Sequence, residues 1–245
     1  MAGEQDGTAR VGDKDLAGRL IVALDLPSIA AAEGMVARLD GVVSFFKLGL
    51  GLLFAPGVDQ LITRLTRGGR RLFLDAKLFD IPETVGRAVA RVAERGASFL
   101  TVHGDPRILE AAVAARHDAP LRIFAVTVLT SLDDAALAEM GFALTARDLV
   151  RQRARQAAAA GCDGVIASAA DDPDAIRRFA GSPHLLIATP GIRPAGGAAD
   201  DQRRIATPGA AIAAGADYLV VGRPIIAAAD PRASALAIIA EMAAT

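Results

Sequence analysis

Residues 20–28 read LIVALDLPS, and the fold turns on how that stretch ends. Residues 20–25 are a short, continuous apolar run closed by one acid, the pattern of a strand buried on both faces. A doubly wound, dinucleotide-binding sheet would follow such a strand with a glycine-rich turn, but Leu26, Pro27 and Ser28 stand in that place. Seven more runs of the same kind follow, at 42–48, 71–76, 98–103, 122–128, 163–168, 185–189 and 217–221. The segments between them are rich in Ala, Arg and Glu, with apolar residues three and four apart. Residues 88–95 and 147–160 show this helical spacing best. Eight strand-then-helix units without a long linker predict a single-domain α/β fold, the eight-stranded (β/α)8 or TIM barrel, which typically takes about 250 residues.

The junctions carry matching punctuation. Ser28, Asp105 and Asp172 read as helix starts, the latter two each followed by Pro. Gly41, Gly69, Gly96, Gly161 and Gly215 fall at or just beyond helix ends. Residues 1–15 are polar and charged, so they are expected to be a disordered tail rather than a signal peptide, with the barrel domain spanning 16–245.

Composition narrows the function. The 27 Lys+Arg against 28 Asp+Glu give a net charge of −1, which argues against a protein built to hold nucleic acid phosphates. A lone Cys162 excludes a disulfide framework and fits a reducing compartment. The apolar C-terminal stretch is broken by Asp230, Arg232 and Glu241, short of the roughly 18 residues that a membrane helix needs. The expectation is a soluble, cytoplasmic globular protein.

Chemistry in a barrel of this kind sits at the C-terminal ends of the strands. Collected there are Asp25, then Lys47, then Asp75, Lys77 and Asp80, then His103, then Thr130 and Ser131. Arg193 follows the seventh strand, and Gly222 and Arg223 the eighth. Asp75 and Lys77 are two apart, so on extended backbone both face the barrel mouth, where Asp25 and Lys47 would complete a row of alternating acids and bases. A row of charges that only plugged the barrel would be a costly substitute for apolar side chains. Asp80 has a second reading, as a cap for the helix that follows Pro82. Gly222, Arg223 and the Arg193 loop occupy the usual phosphate site of such barrels, with 194–201 (PAGGAADD) as a lid. His103 lacks a Ser or Cys nucleophile partner and reads as a structural histidine packed under the site sooner than as a catalytic one. Three histidines and one cysteine make no convincing transition-metal site, and Lys47 and Lys77 would repel Mg²⁺ from the aspartates. Neither a metal nor an organic cofactor is expected.

Residues 72–85, LFLDAKLFDIPETV, resemble the signature of the orotidine 5′-monophosphate decarboxylase family, Asp-x-Lys-x-x-Asp-Ile-Pro-x-Thr. Its supporting motifs occur in the family's order: ALDLP at Asp25, FKLGL at Lys47, TVHG at His103, VTVLTS at Thr130, TPGIRP at Arg193, Gln202, and VGRPI at Arg223. Phe79 and Glu83 stand where many members carry His and Asn, both at variable positions of the signature. The resemblance implies cofactor-free conversion of orotidine 5′-monophosphate to UMP in pyrimidine biosynthesis. It implies that Lys77 protonates C6 and that Asp75 lies beside the substrate carboxylate. Asp25 and Lys47 would hold the ribose, Thr130 and Ser131 the pyrimidine, and Gln202, Gly222 and Arg223 the phosphate, with Arg193 near. Asp80 and Thr84 would enter from the partner of a homodimer. The whole segment Asp75, Ala76, Lys77, Leu78, Phe79, Asp80, Ile81, Pro82, Glu83 and Thr84 would border substrate. Two rivals share parts of this pattern. Mg²⁺-dependent sugar-phosphate enzymes of the same superfamily carry an acid where Lys47 stands, and a silent phosphate-binding barrel would have a broken charge row.

Overall fold

Eight parallel strands pair in chain order, and the eighth pairs back onto the first to close the sheet. The computed structural model describes residues 16–194 and 205–244. The strands are β1 (Leu20–Ala23), β2 (Phe45–Leu48), β3 (Arg71–Leu78), β4 (Phe99–Val102), β5 (Arg122–Val126), β6 (Gly164–Ile166), β7 (Leu186–Thr189) and β8 (Tyr218–Val221). Helical segments separate them, the longest being Ile29–Arg38, Val58–Arg67, Pro82–Glu94, Pro106–Ala115, Ala146–Ala159 and Pro173–Ala180, with Pro231–Ala243 after β8. This is the (β/α)8 barrel predicted from the alternation of runs. Every predicted run overlaps one strand, and β3 continues two residues beyond its run, to Leu78. Ser28, Asp105 and Asp172 cap helices by accepting backbone N–H groups, and the five glycines named above all have positive φ. Among the described residues no helix is long and apolar enough to cross a membrane.

The strands read as continuous apolar runs because their two faces pack into different cores. Leu20, Val22 and Leu24 of the first run face the helices, with Phe46, Leu72, Leu100 and Ile123 from its neighbours. Ile21 and Ala23 face the barrel axis. There Phe45, Phe73, Phe99, Phe124 and Tyr218 fill the lower barrel, so half of the chain's nine Phe and one Tyr form a single floor. Phe99 lies at its centre, 4.9 Å from Phe45, 4.5 Å from Phe124 and 5.0 Å from Tyr218, ring centre to ring centre. Such pairs add about 0.5–1.5 kcal/mol each beyond their burial. Gly164 makes space for this floor: a Cβ there would stand 2.6 Å from the Leu186 carbonyl oxygen and 2.8 Å from Phe124 Cδ1. Below the rings, the Arg71 guanidinium lies 4.4 Å from the Phe45 ring centre, and Arg122 donates to the Tyr218 hydroxyl at 3.4 Å.

Two aspartates fasten the bottom of the barrel. Asp163, just before β6, accepts the Ile123 N–H at 2.8 Å and pairs with Arg116. Asp217, just before β8, accepts the Ile187 N–H at 2.7 Å and pairs with Arg177, which also donates to the Leu185 carbonyl at 3.0 Å. Asp217 and Arg177 are both buried, and Arg177 also pairs with Asp174 at 2.9 Å, so it is Asp217 that is stranded when Arg177 is removed. Arg177→Ala should therefore cost about 3–5 kcal/mol of unfolding free energy, read by urea denaturation. A loss below about 1 kcal/mol, the size of a surface pair, would mean that Asp217 finds water when Arg177 is gone.

Candidate active site

A cavity of about 560 Å³ opens at the C-terminal ends of the strands, above the aromatic floor. Asp25, Lys47, Asp75 and Lys77 line one wall, and Thr130, Ser131, Arg193, Gly222 and Arg223 line the rest of its polar rim. Phe73, Val126, Ile166 and Val220 form its apolar base. The first wall is a chain of contacts. Lys47 Nζ lies 3.4 Å from Asp25 Oδ1 and 3.2 Å from Asp75 Oδ2, while Lys77 Nζ lies 2.8 Å from Asp75 Oδ1. Exposure grades along it, since Lys47 and Asp75 side chains keep 10 % and 13 % of their surface against 33 % for Lys77 and 57 % for Asp25. The two most buried charges thus each touch opposite charges, the condition under which burial is tolerable. Burial alone would push the Asp75 carboxyl up. The ammoniums of Lys47 and Lys77, with hydrogen bonds from Lys77 and Thr101, outweigh it and hold the group below its ordinary range. Counting side chains, four cations (Lys47, Lys77, Arg193, Arg223) face two anions (Asp25, Asp75), so the cavity suits an anionic ligand.

The backbone under the row is not plain strand. From Leu74 to Leu78 β3 takes four steps while its partner takes two, from Leu100 to Val102. Within that bulge Lys77 has φ +46°, left-handed for a residue with a side chain. Asp75 and Lys77 do both line the cavity, as their spacing predicted, but through this irregular arch rather than by strand alternation. Two residues that the sequence reading gave no role belong to the site. The buried Thr101 on β4 donates its hydroxyl to Asp75 Oδ1 at 2.9 Å and accepts the Lys77 N–H at 3.0 Å. Its signal was a polar residue amid the apolar run 98–103. Gly49 follows β2, and a Cβ on it would stand 2.6 Å from Asp25 Oδ1 and 3.3 Å from Lys47 Nζ, so the Asp25–Lys47 contact needs a bare backbone there.

The sequence profile described as the Orotidine 5′-phosphate decarboxylase / HUMPS family matches residues 18–238. The chain belongs to this family. It is 52 % identical over 225 residues to the orotidine 5′-phosphate decarboxylase of Rhodopseudomonas palustris strain BisB5, covering 92 % of this chain and 94 % of that one. With the orotidine 5′-phosphate decarboxylase of Methylorubrum populi it shares 55 % over 224 residues, 91 % of this chain and 95 % of the relative. The crystal structure of the orotidine 5′-phosphate decarboxylase from Lactobacillus acidophilus superposes with a TM-score of 0.79 at 35 % identity, covering 91 % of this chain and 98 % of the other. Its class is that of the decarboxylases, carboxy-lyases, named in these relatives.

Within this decarboxylase family member, the remaining residues singled out by sequence fall outside the cavity of their own chain. Asp80 is exposed and its Oδ1 accepts the Ile81 N–H at 2.6 Å, while Ile81, not Asp80, is the N-cap of Pro82–Glu94. Phe79 and Ile81 on either side are 69 % and 63 % exposed. Ala76, Leu78, Pro82 and Thr84 do not line the cavity, and Glu83 pairs with Arg87 at 3.1 Å on the helix surface. His103 also lies off the cavity, with its ring edge-on to Phe79 at 5.4 Å and its buried Nδ1 without a hydrogen-bond partner among the described residues. Burial, with the Arg153 and Lys77 cations adding to it, lowers its pKa and favours the neutral ring. Arg193 is buried, and its guanidinium donates to the Ile192 carbonyl at 2.9 Å. Gln202, residues 195–201 of the predicted lid and the 1–15 tail lie outside the described residues.

The lowered Asp75 pKa has a sign that can be measured. A carboxyl held low in the folded state contributes stability that is fully present above its ordinary value, about pH 4, and is lost as pH falls through the folded value. The gap in unfolding free energy between wild type and Asp75→Asn, from denaturation at a series of pH values, should shrink below about pH 4. A gap that stays constant down to pH 2, roughly two units lower, would mean that Asp75 titrates alike folded and unfolded.

Proposed function

We propose that this enzyme decarboxylates orotidine 5′-monophosphate to UMP in pyrimidine biosynthesis, with Lys77 as the proton donor to C6 and no cofactor. The observation that carries the reading is the unbroken row Asp25–Lys47–Asp75–Lys77 on one wall of the cavity, ending in the least buried ammonium. When the bond from C6 to the carboxylate breaks, its electron pair stays on C6 in an sp² orbital perpendicular to the ring π system. Resonance cannot spread that charge, so fixed electrostatics must meet it. CO₂ leaves and the pair takes a proton from Lys77 Nζ, so the lysine ends neutral and C6 carries hydrogen. Asp75, 2.8 Å from Lys77 Nζ, orients the ammonium and lies beside the departing carboxylate.

The other roles are those that the family resemblance implies, supported by the cavity's lining. Asp25 and Lys47 hold the ribose hydroxyls, and Thr130 and Ser131 meet the pyrimidine. Gly222 and Arg223 grip the phosphate with Gln202, and Arg193 stands near. A Cβ at Gly222 would meet this chain only at ordinary contact distance, 3.6 Å from Ala23 Cβ, so packing does not demand a glycine there. Its bareness is of use on the cavity side, where an anion can approach the backbone. Asp80 and Thr84 serve the site of the second subunit of a homodimer. Support for this comes from Asp80 lying outside its own chain's cavity between exposed Phe79 and Ile81, with Leu50 and Phe54 exposed after the adjacent strand. We read the compartment as the cytoplasm, in keeping with one free, buried Cys162.

The test is loss of orotidine 5′-monophosphate ultraviolet absorbance, run with and without EDTA. Loss with UMP as product and no effect of EDTA is expected, whereas loss abolished by EDTA would overturn the metal-free mechanism. Lys77→Ala should bind UMP yet lose nearly all turnover, and near-normal kcat would remove Lys77 from the chemistry.

The shared site has its own test. Lys77→Ala and Asp80→Ala chains, each inactive alone, should recover about a quarter of wild-type activity when co-assembled. Random pairing makes half of the dimers mixed, and each mixed dimer holds one intact site of two. No recovery would mean that Asp80 acts within its own chain.

A further inference from the structure

Among the described residues Lys77, His117 and Asp172 are the non-glycine residues with positive φ, and Lys77 alone of the three lies in a strand. Strain of this kind persists only where the surroundings over-determine it. Here the determinants come from β4 and the residue after it. Thr101 Oγ1 accepts the Lys77 N–H at 3.0 Å, and the His103 N–H donates to the Leu78 carbonyl at 2.9 Å, closing the far side of the bulge. A hydroxyl has one proton to give, and Thr101 gives it to Asp75 Oδ1 at 2.9 Å. One fully buried side chain, itself off the cavity wall, thus ties the backbone of Lys77 to the carboxylate that its own ammonium touches.

We infer that Thr101 is a positioning residue: its hydroxyl holds the left-handed Lys77 backbone and the Asp75 carboxylate as one unit, fixing the ammonium over the reacting carbon. The inference rests on the decarboxylase reading for its catalytic consequence, but the clasp itself is independent of it. The groups that face Asp75 are Lys47 from β2, Lys77 from its own strand and Thr101 from β4, with Asp25 reaching it only through Lys47.

Thr101→Val keeps the shape and removes both hydrogen bonds, and Thr101→Ser keeps them. Steady-state kinetics on orotidine 5′-monophosphate should show kcat in Thr101→Val down about 10- to 100-fold with KM within about threefold, and Thr101→Ser within about threefold of wild type in both. In ligand-free protein, the ¹³C titration of the Asp75 carboxyl should move to higher pH in Thr101→Val and stay in place in Thr101→Ser, a readout that mere packing would not shift. An unchanged kcat in Thr101→Val, a loss confined to KM, or an equal loss in Thr101→Ser would overturn the inference. If wild type does not turn over this substrate, the decarboxylase reading falls by itself. The Asp75 titration then decides the clasp alone, and an unmoved value in Thr101→Val refutes it. Thr101→Ala replaces the valine variant if that one does not fold.

Discussion

Lys47 is an ammonium taken out of water at the mouth of a barrel whose lower interior is apolar and aromatic. Such a group destabilises the fold or loses its proton unless carboxylates stand against it. Asp25 and Asp75 do so from the strands on either side, and Asp75 then needs Lys77 and Thr101 to balance its own burial. Much of the local structure serves this arrangement. The bare backbone at Gly49 gives Asp25 its place, the bulge in β3 brings two charged side chains of one strand into the cavity, and β4 supplies the hydroxyl that fixes them.

The opposite end of the barrel solves a different problem with the same economy of position. There the strands are tied by aspartates that accept a backbone N–H from the preceding parallel strand and pair with an arginine, as at Asp163 and Asp217. Charges at this end hold loops to strands, whereas those at the other face an open cavity. The aromatic layer separates the two sets, so substitutions below the rings act on stability and those above act on the ligand.

The barrel could be read from the sequence because most strands are apolar on both faces and many helix starts or stops carry a cap residue or glycine, all of them local signals. Asp25, Lys47, Asp75, Lys77, Thr130, Arg193 and Arg223 could be read as site residues because strand ends are local too, and all of them line the cavity. What could not be read depends on contacts between distant strands. The left-handed Lys77 follows from a register jump against β4, the role of Thr101 from a carboxylate 26 positions away, and that of Gly49 from the reach of Asp25. The aromatic floor was equally hidden, since its rings come singly from five strands and none of those runs alone reveals a shared layer.

That floor also makes the cavity a cul-de-sac. With Phe99 packed ring to ring against Phe45, Phe124 and Tyr218, no channel leads down the barrel axis among the described residues, and a small molecule formed in the cavity leaves by the doorway through which the nucleotide came in. Traffic through the site is therefore single file. Whatever narrows the doorway to keep water out also retains the departing gas, so the exclusion of solvent and the escape of product are set by the same aperture.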